Sequence, residues 1–150
     1  ILPAAPDLIA ASVAFKARVV MADEHEQGQR QLLNFGHTIG HAVELLADGQ
    51  LMHGEAVAIG LVQVCRLFAA HGLAPTSLTS TLKARLMAVG LPTELPPIAP
   101  QAVAAVMQHD KKVHGTALTW VYLSAVGQPH LYPIAVTDLA TWMGDLWSVS

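Results

Sequence analysis

Apolar positions recur along most of the chain at the three-to-four-residue spacing of helices that bury one side. Pro6 and Asp7 make a helix start, and Leu8, Ile9, Val13, Phe15, Val19 and Val20 then fit a mostly buried helix ending near Asp23, with Lys16 inside it. Asp23-Glu24-His25-Glu26-Gln27-Gly28 is the most polar stretch and reads as a loop. A second helix is predicted from Gln29 or Asn34 to Ala47, closed by Asp48-Gly49, and a third from His53 to His71, closed by Gly72. The connection between them is short, which makes them neighbours in space.

Thr76-Ser77 caps a fourth helix that reaches Leu86 to Val89 and stops at Gly90. A Pro-rich connector, 92–100, leads to a short fifth helix over Gln101 to His109. Beyond Lys111-Lys112 the period changes. Leu118-Thr119-Trp120-Val121-Tyr122-Leu123 is β-branched and aromatic, and after Gly127 follows a weaker partner, His130-Leu131-Tyr132-Pro133-Ile134. These two runs predict a small hairpin, and Asp138 to Trp147 a final helix. The class is mainly α with a minor β element, without internal repeats.

At 150 residues the chain has the size of one domain. Its residues are 53% hydrophobic and 13% charged, against roughly 45 to 50% and 25% in an average soluble domain. Disorder is excluded, and the apolar excess points to a surface covered by a second domain or subunit. The net charge of −3, with eight Lys and Arg spread thinly, gives no basic stripe and argues against nucleic acid as a partner. The lone Cys65, inside an apolar run, has no mate for a disulfide and reads as a small buried hydrophobe in a reducing compartment. With no uncharged apolar stretch of about 18 residues and no leader pattern, a cytoplasmic protein without a membrane partner is expected. The chain opens at Ile1 rather than Met, which points to a continuation of something longer.

Most polar residues able to do chemistry fall in Arg30-Gln31-Leu32-Leu33-Asn34-Phe35-Gly36-His37-Thr38-Ile39-Gly40-His41, followed by His53-Gly54-Glu55. On one helix Arg30, Asn34, His37 and His41 would form a stripe. Imidazoles four apart suit a borderline cation such as Zn²⁺, and His53, opening the neighbouring helix, is within reach as a third ligand that leaves one position open. Gly36 and Gly40 each cost about 1 kcal/mol in a helix interior, so something approaches the backbone there: a ligand, or simply the packing of another helix. Arg30 suits a carboxylate or phosphate through its fork of donors, or serves as a cap or ion-pair partner. His25, His71, His109, His114 and His130 lie outside this cluster and read as surface or cap residues, the tryptophans as core or interface aromatics.

At these residues the chain resembles the 3-dehydroquinate synthase family. Arg30-x-x-x-Asn34-Phe35-Gly36-His37-Thr38-x-Gly40-His41-Ala42-x-Glu44, then His53-Gly54-Glu55-Ala56-Val57-Ala58-x-Gly60, is similar to its central motif in order and spacing. Lys16-x-Arg18-Val19-Val20, Asp23-Glu24-x-Glu26 and Asp110-Lys111-Lys112 also match. The resemblance implies the fold of that family's multihelical C-terminal domain, with a small β-hairpin near the C-terminus. The family's N-terminal NAD-binding domain has no counterpart here, since no Gly-rich phosphate loop follows a strand.

Carried over residue by residue, the resemblance makes His37 and His53 metal ligands for Zn²⁺ or Co²⁺, with the third ligand lost along with the missing domain. His41 becomes a substrate-side proton relay with Glu26, and Lys16, Arg30, Asn34 and one of Lys111 and Lys112, favouring Lys112, hold the substrate. The implied reaction converts DAHP, a seven-carbon keto-sugar acid phosphate, into 3-dehydroquinate and phosphate in the shikimate pathway, with NAD returned unchanged. A homodimer is expected, inactive without the N-terminal domain. Two alternatives stand beside it: a domain of another sugar phosphate cyclase, and a non-catalytic metal-binding or oligomerisation module.

Overall fold

The computed structural model describes residues 5–23, 28–112 and 116–148, and the side chains of 6–23, 28–109 and 116–144. The helices are α1 (Ala5–Ala22), α2 (His37–Leu46), α3 (His53–Ala70), α4 (Thr76–Ala88), α5 (Pro100–Lys112) and α6 (Leu139–Ser148). Strands β1 (Ala117–Ala125) and β2 (Gln128–Ala135) form one antiparallel hairpin, with Trp120 opposite Tyr132 and Leu118 opposite Ile134. The mainly helical class and the C-terminal hairpin are as the sequence predicts.

The chain divides into two compact units, Ile1–Asn34 and Phe35–Ser150. The first holds α1 and a 3₁₀ helix, Gln29–Asn34. The Asp23 carboxylate accepts the backbone N–H groups of Gly28 at 2.7 Å and Arg30 at 3.0 Å, capping the start of that 3₁₀ helix. Leu8, Ile9, Val13 and Phe15 are exposed on α1. The expectation of a mostly buried first helix is corrected here: the pattern marks apolar positions, and they find no cover within the described residues.

The second unit is built around α3. Ala56, Ile59, Val62, Val64, Leu67 and Phe68 are buried, and the core continues through Ile39 and Val43 of α2, Val103 and Met107 of α5, Trp120 of β1, and Leu139 and Met143 of α6. By length and composition α3 could cross a bilayer, yet these same apolar residues form the protein core. Phe68 stacks on Tyr122 with ring centroids 4.5 Å apart, and Trp142 covers Phe68 from α6 at 5.6 Å, so aromatic contacts tie hairpin and last helix to the central one. Trp120 and Trp142 are thus core aromatics as expected, whereas the side chain of Trp147 lies outside the described residues. His71 is the C-cap of α3, one of the two roles expected of it, and its ring stacks on Trp142 at 3.8 Å.

Two boundaries differ from the sequence reading. Pro75 is the N-cap of α4, so Thr76 and Ser77 are its first helical residues and cap nothing. Helix α5 runs on to Lys112, which places Lys111 and Lys112 in its last turn rather than after it. Glu94 in the connector bonds Lys83 of α4 and faces Arg66 of α3 at 3.8 Å, fixing the Pro-rich segment to both helices.

Candidate metal and substrate site

The site begins with a break in the chain. Gly36, at φ 78°, is the left-handed N-cap of α2, so the 3₁₀ helix ends at Asn34 and a new helix starts at His37. A Cβ at Gly36 would lie 2.8 Å from Leu61 Cγ and backbone N as well. The single helical stripe of Arg30, Asn34, His37 and His41 is therefore corrected. Among these four, His37 and His41 share α2, one turn apart.

Close helix contact then brings α3 alongside. A Cβ on Gly60 would overlap the carbonyl oxygen of Gly36 and stand 2.8 Å from the backbone N of Gly40, and one on Gly40 would stand 3.1 Å from Val57 Cα. What approaches the glycine backbone is α3 itself, which favours the helix-packing reading of Gly36 and Gly40. Glu55 accepts the Met52 backbone N–H at 2.8 Å and pins the first turn of α3, where His53 is the first residue.

Between the starts of α2 and α3 the three imidazoles form a triangle. Ring centroids are 5.4 Å apart for His37 and His41, 5.7 Å for His37 and His53, and 5.5 Å for His41 and His53. One nitrogen from each lies within 4.8 Å of the others. A tetrahedral ion with Zn–N bonds of about 2.0 to 2.1 Å holds its nitrogens about 3.4 Å apart, so small ring rotations close the set. Three borderline nitrogen donors fit Zn²⁺ or Co²⁺.

Hydrogen bonds fix two of the rings. His37 Nδ1 lies 3.2 Å from the Phe35 carbonyl oxygen, and His53 Nδ1 lies 2.9 Å from Glu44 Oε2. Carbonyl and carboxylate oxygens accept, so Nδ1 is the donor in both contacts, and in the neutral tautomer this leaves the Nε2 lone pair for a cation. Glu44 stands in the sequence motif without an assigned role, and the structure gives it one contact in the site. It stands seven positions after His37 and three after His41 on α2, a spacing that puts all three on one face.

Of the predicted site residues, the structure brings together His37, His41 and His53. Lys16 and the pair Arg30 and Asn34 belong to the first unit, on α1 and the 3₁₀ helix. Glu26 lies outside the described residues, as do the side chains of Lys111 and Lys112. Cys65, buried in α3, has its thiol pushed up from 9.0 to about 11 by desolvation, which removes it from any nucleophilic role. For NAD the described residues offer no fit: the strands form a simple hairpin, without the strand-turn-helix unit that cradles a pyrophosphate.

Residues 2–113 match the family described as 3-dehydroquinate synthase C-terminal. A 3-dehydroquinate synthase of Latilactobacillus sakei is 51% identical over 93% of this chain and 38% of that protein, and one of Leuconostoc citreum 50% identical over 94% and 39%. The chain thus spans about two fifths of the length of these curated relatives. A 2-deoxy-scyllo-inosose synthase complexed with carbaglucose-6-phosphate, NAD⁺ and Co²⁺ superposes with a TM-score of 0.76 at 27% identity, covering 90% of this chain and 39% of that one. A 2-epi-5-epi-valiolone synthase from Streptomyces hygroscopicus with NAD⁺ and Zn²⁺ bound shares the fold, with a TM-score of 0.80 at 20% identity over 99% of this chain and 42% of that one. The chain belongs to the 3-dehydroquinate synthase C-terminal family.

Proposed function

We propose that these 150 residues act as the helical metal- and substrate-binding domain of a 3-dehydroquinate synthase, a phosphate-eliminating lyase of aromatic amino acid biosynthesis. The observation that carries this reading is the imidazole triangle, which falls inside the matched span 2–113. In the intact protein an N-terminal domain would bind NAD and supply the remaining metal ligand, consistent with relatives more than twice the length of this chain. The intact protein would be cytoplasmic and homodimeric, the latter checked by light scattering.

His37 and His53 would hold Zn²⁺ or Co²⁺ through Nε2. When bound, the ion supplies Lewis-acid polarisation of a substrate hydroxyl, and NAD supplies reversible hydride acceptance. His41, an exposed imidazole beside that pair, moves a proton to and from the substrate oxygen, with Glu26 as its partner in the relay. Lys16, Arg30, Asn34 and Lys112 or Lys111 orient the phosphate, carboxylate and hydroxyls of DAHP by charge-assisted hydrogen bonds.

Phosphate release by the intact protein, supplied with DAHP, NAD and Zn²⁺ or Co²⁺, tests this reading. Turnover of DAHP is expected, and none from the 150-residue chain alone. Turnover of hexose phosphates in place of DAHP would favour a sister sugar phosphate cyclase, a reading supported by the likeness to 2-deoxy-scyllo-inosose synthase. Metal binding without turnover of any sugar phosphate would favour a non-catalytic module.

A further inference from the structure

We infer that Glu44 is a positioning residue of the metal site, holding His53 by its Nδ1 edge so that Nε2 is presented to the ion. This rests on the metal reading proposed above. The contact is short, 2.9 Å, and joins the end of α2 to the first residue of α3, across the short connection between the two helices. Its job is not fold stability: the two side chains are 55% and 36% exposed, and an exposed pair of this kind adds little. Orientation is what the geometry offers. His53 begins its helix, whose first turn is held by the Glu55 bond to Met52 and by backbone bonds to the Met52 carbonyl, while its ring is held by the bond to Glu44.

His37 provides the internal comparison. Its Nδ1 is held by a backbone carbonyl two residues away, which no side-chain substitution can remove, whereas His53 depends on a carboxylate. A ligating imidazole whose second nitrogen donates to a carboxylate is fixed in tautomer and ring direction and is made more basic, and loss of such a partner weakens metal binding by roughly 10- to 100-fold. The donor atoms that converge within 4.8 Å belong to His37, His41 and His53, and Glu44 is not among that group; its contact is with His53 Nδ1.

The test is Co²⁺ titration of the metal-stripped intact protein, followed by calorimetry and by the visible absorption of bound Co²⁺. Glu44→Ala should weaken binding by roughly 10- to 100-fold and alter the Co²⁺ spectrum, with the thermal melt of the metal-free protein unchanged. Glu44→Gln, whose amide oxygen still accepts from Nδ1–H, should lie between Glu44→Ala and the parent. His53→Ala serves as the reference for loss of a ligand. The inference is overturned if Glu44→Ala binds as the parent does, if it loses as much as His53→Ala (Glu44 would then be a ligand), or if Glu44→Gln is no better than Glu44→Ala. Failure of the parent to bind Co²⁺, or indifference to His53→Ala, would instead bring down the metal reading on which the inference stands.

Discussion

At residue scale, Cys65 shows how burial decides chemistry. The side chain is 2% exposed in α3, and desolvation of the thiolate raises its pKa from 9.0 to about 11. In the folded protein a thiol reagent at pH 8 should therefore label Cys65 far more slowly than in denaturant. The linkage has a definite sign. Between pH 9 and about 11 the unfolded chain gives up the proton first, so this group's contribution to stability falls as pH rises through that window and is constant below it. Urea midpoints at pH 8 and pH 10 check it. The buried reading of Cys65 was legible from the apolar run around it. The role of Glu44 was not, because spacing reveals which residues share a face of α2, while its partner His53 arrives from another helix.

At the scale of elements, the site depends on how closely α2 and α3 approach. Gly60 faces the backbone of Gly36 and Gly40, where a Cβ has no room, and both obstacles are main chain rather than a side chain free to swing aside. Gly60→Ala should cost about 1 to 3 kcal/mol by overpacking and also separate the imidazoles, so a loss of stability and a loss of Co²⁺ affinity are expected together. Truncating the aromatic tie, Phe68→Ala, should cost about 3 to 5 kcal/mol with little change in the histidine geometry, which lies at the other end of α3. Chemical denaturation and metal titration of the two variants separate the effects. Helices α2 to α6 and the hairpin were legible from apolar period and glycine stops. The break at Gly36 was not, since a glycine in a periodic run fits a helix interior as well as a left-handed cap, and only the packing of Leu61 against it decides.

At the scale of the whole molecule, the question is whether the site is complete within this chain. Geometry alone would permit His37, His41 and His53 to ligate together, whereas the resemblance gives His41 to the substrate and leaves the third ligand to residues that lie outside the chain. The two arrangements make opposite demands. A two-imidazole site leaves half of a tetrahedral shell to water, so the isolated chain should bind Co²⁺ weakly, and the intact protein much more tightly. His37→Ala and His53→Ala should abolish binding in the intact protein, while His41→Ala should leave affinity within a few-fold of the parent and remove turnover, because a proton relay acts on the substrate and not on the ion. Equal loss of Co²⁺ affinity in all three variants would make the triangle a closed three-histidine site, in which the chain needs no outside residue to hold its metal and His41 is not free to carry a proton.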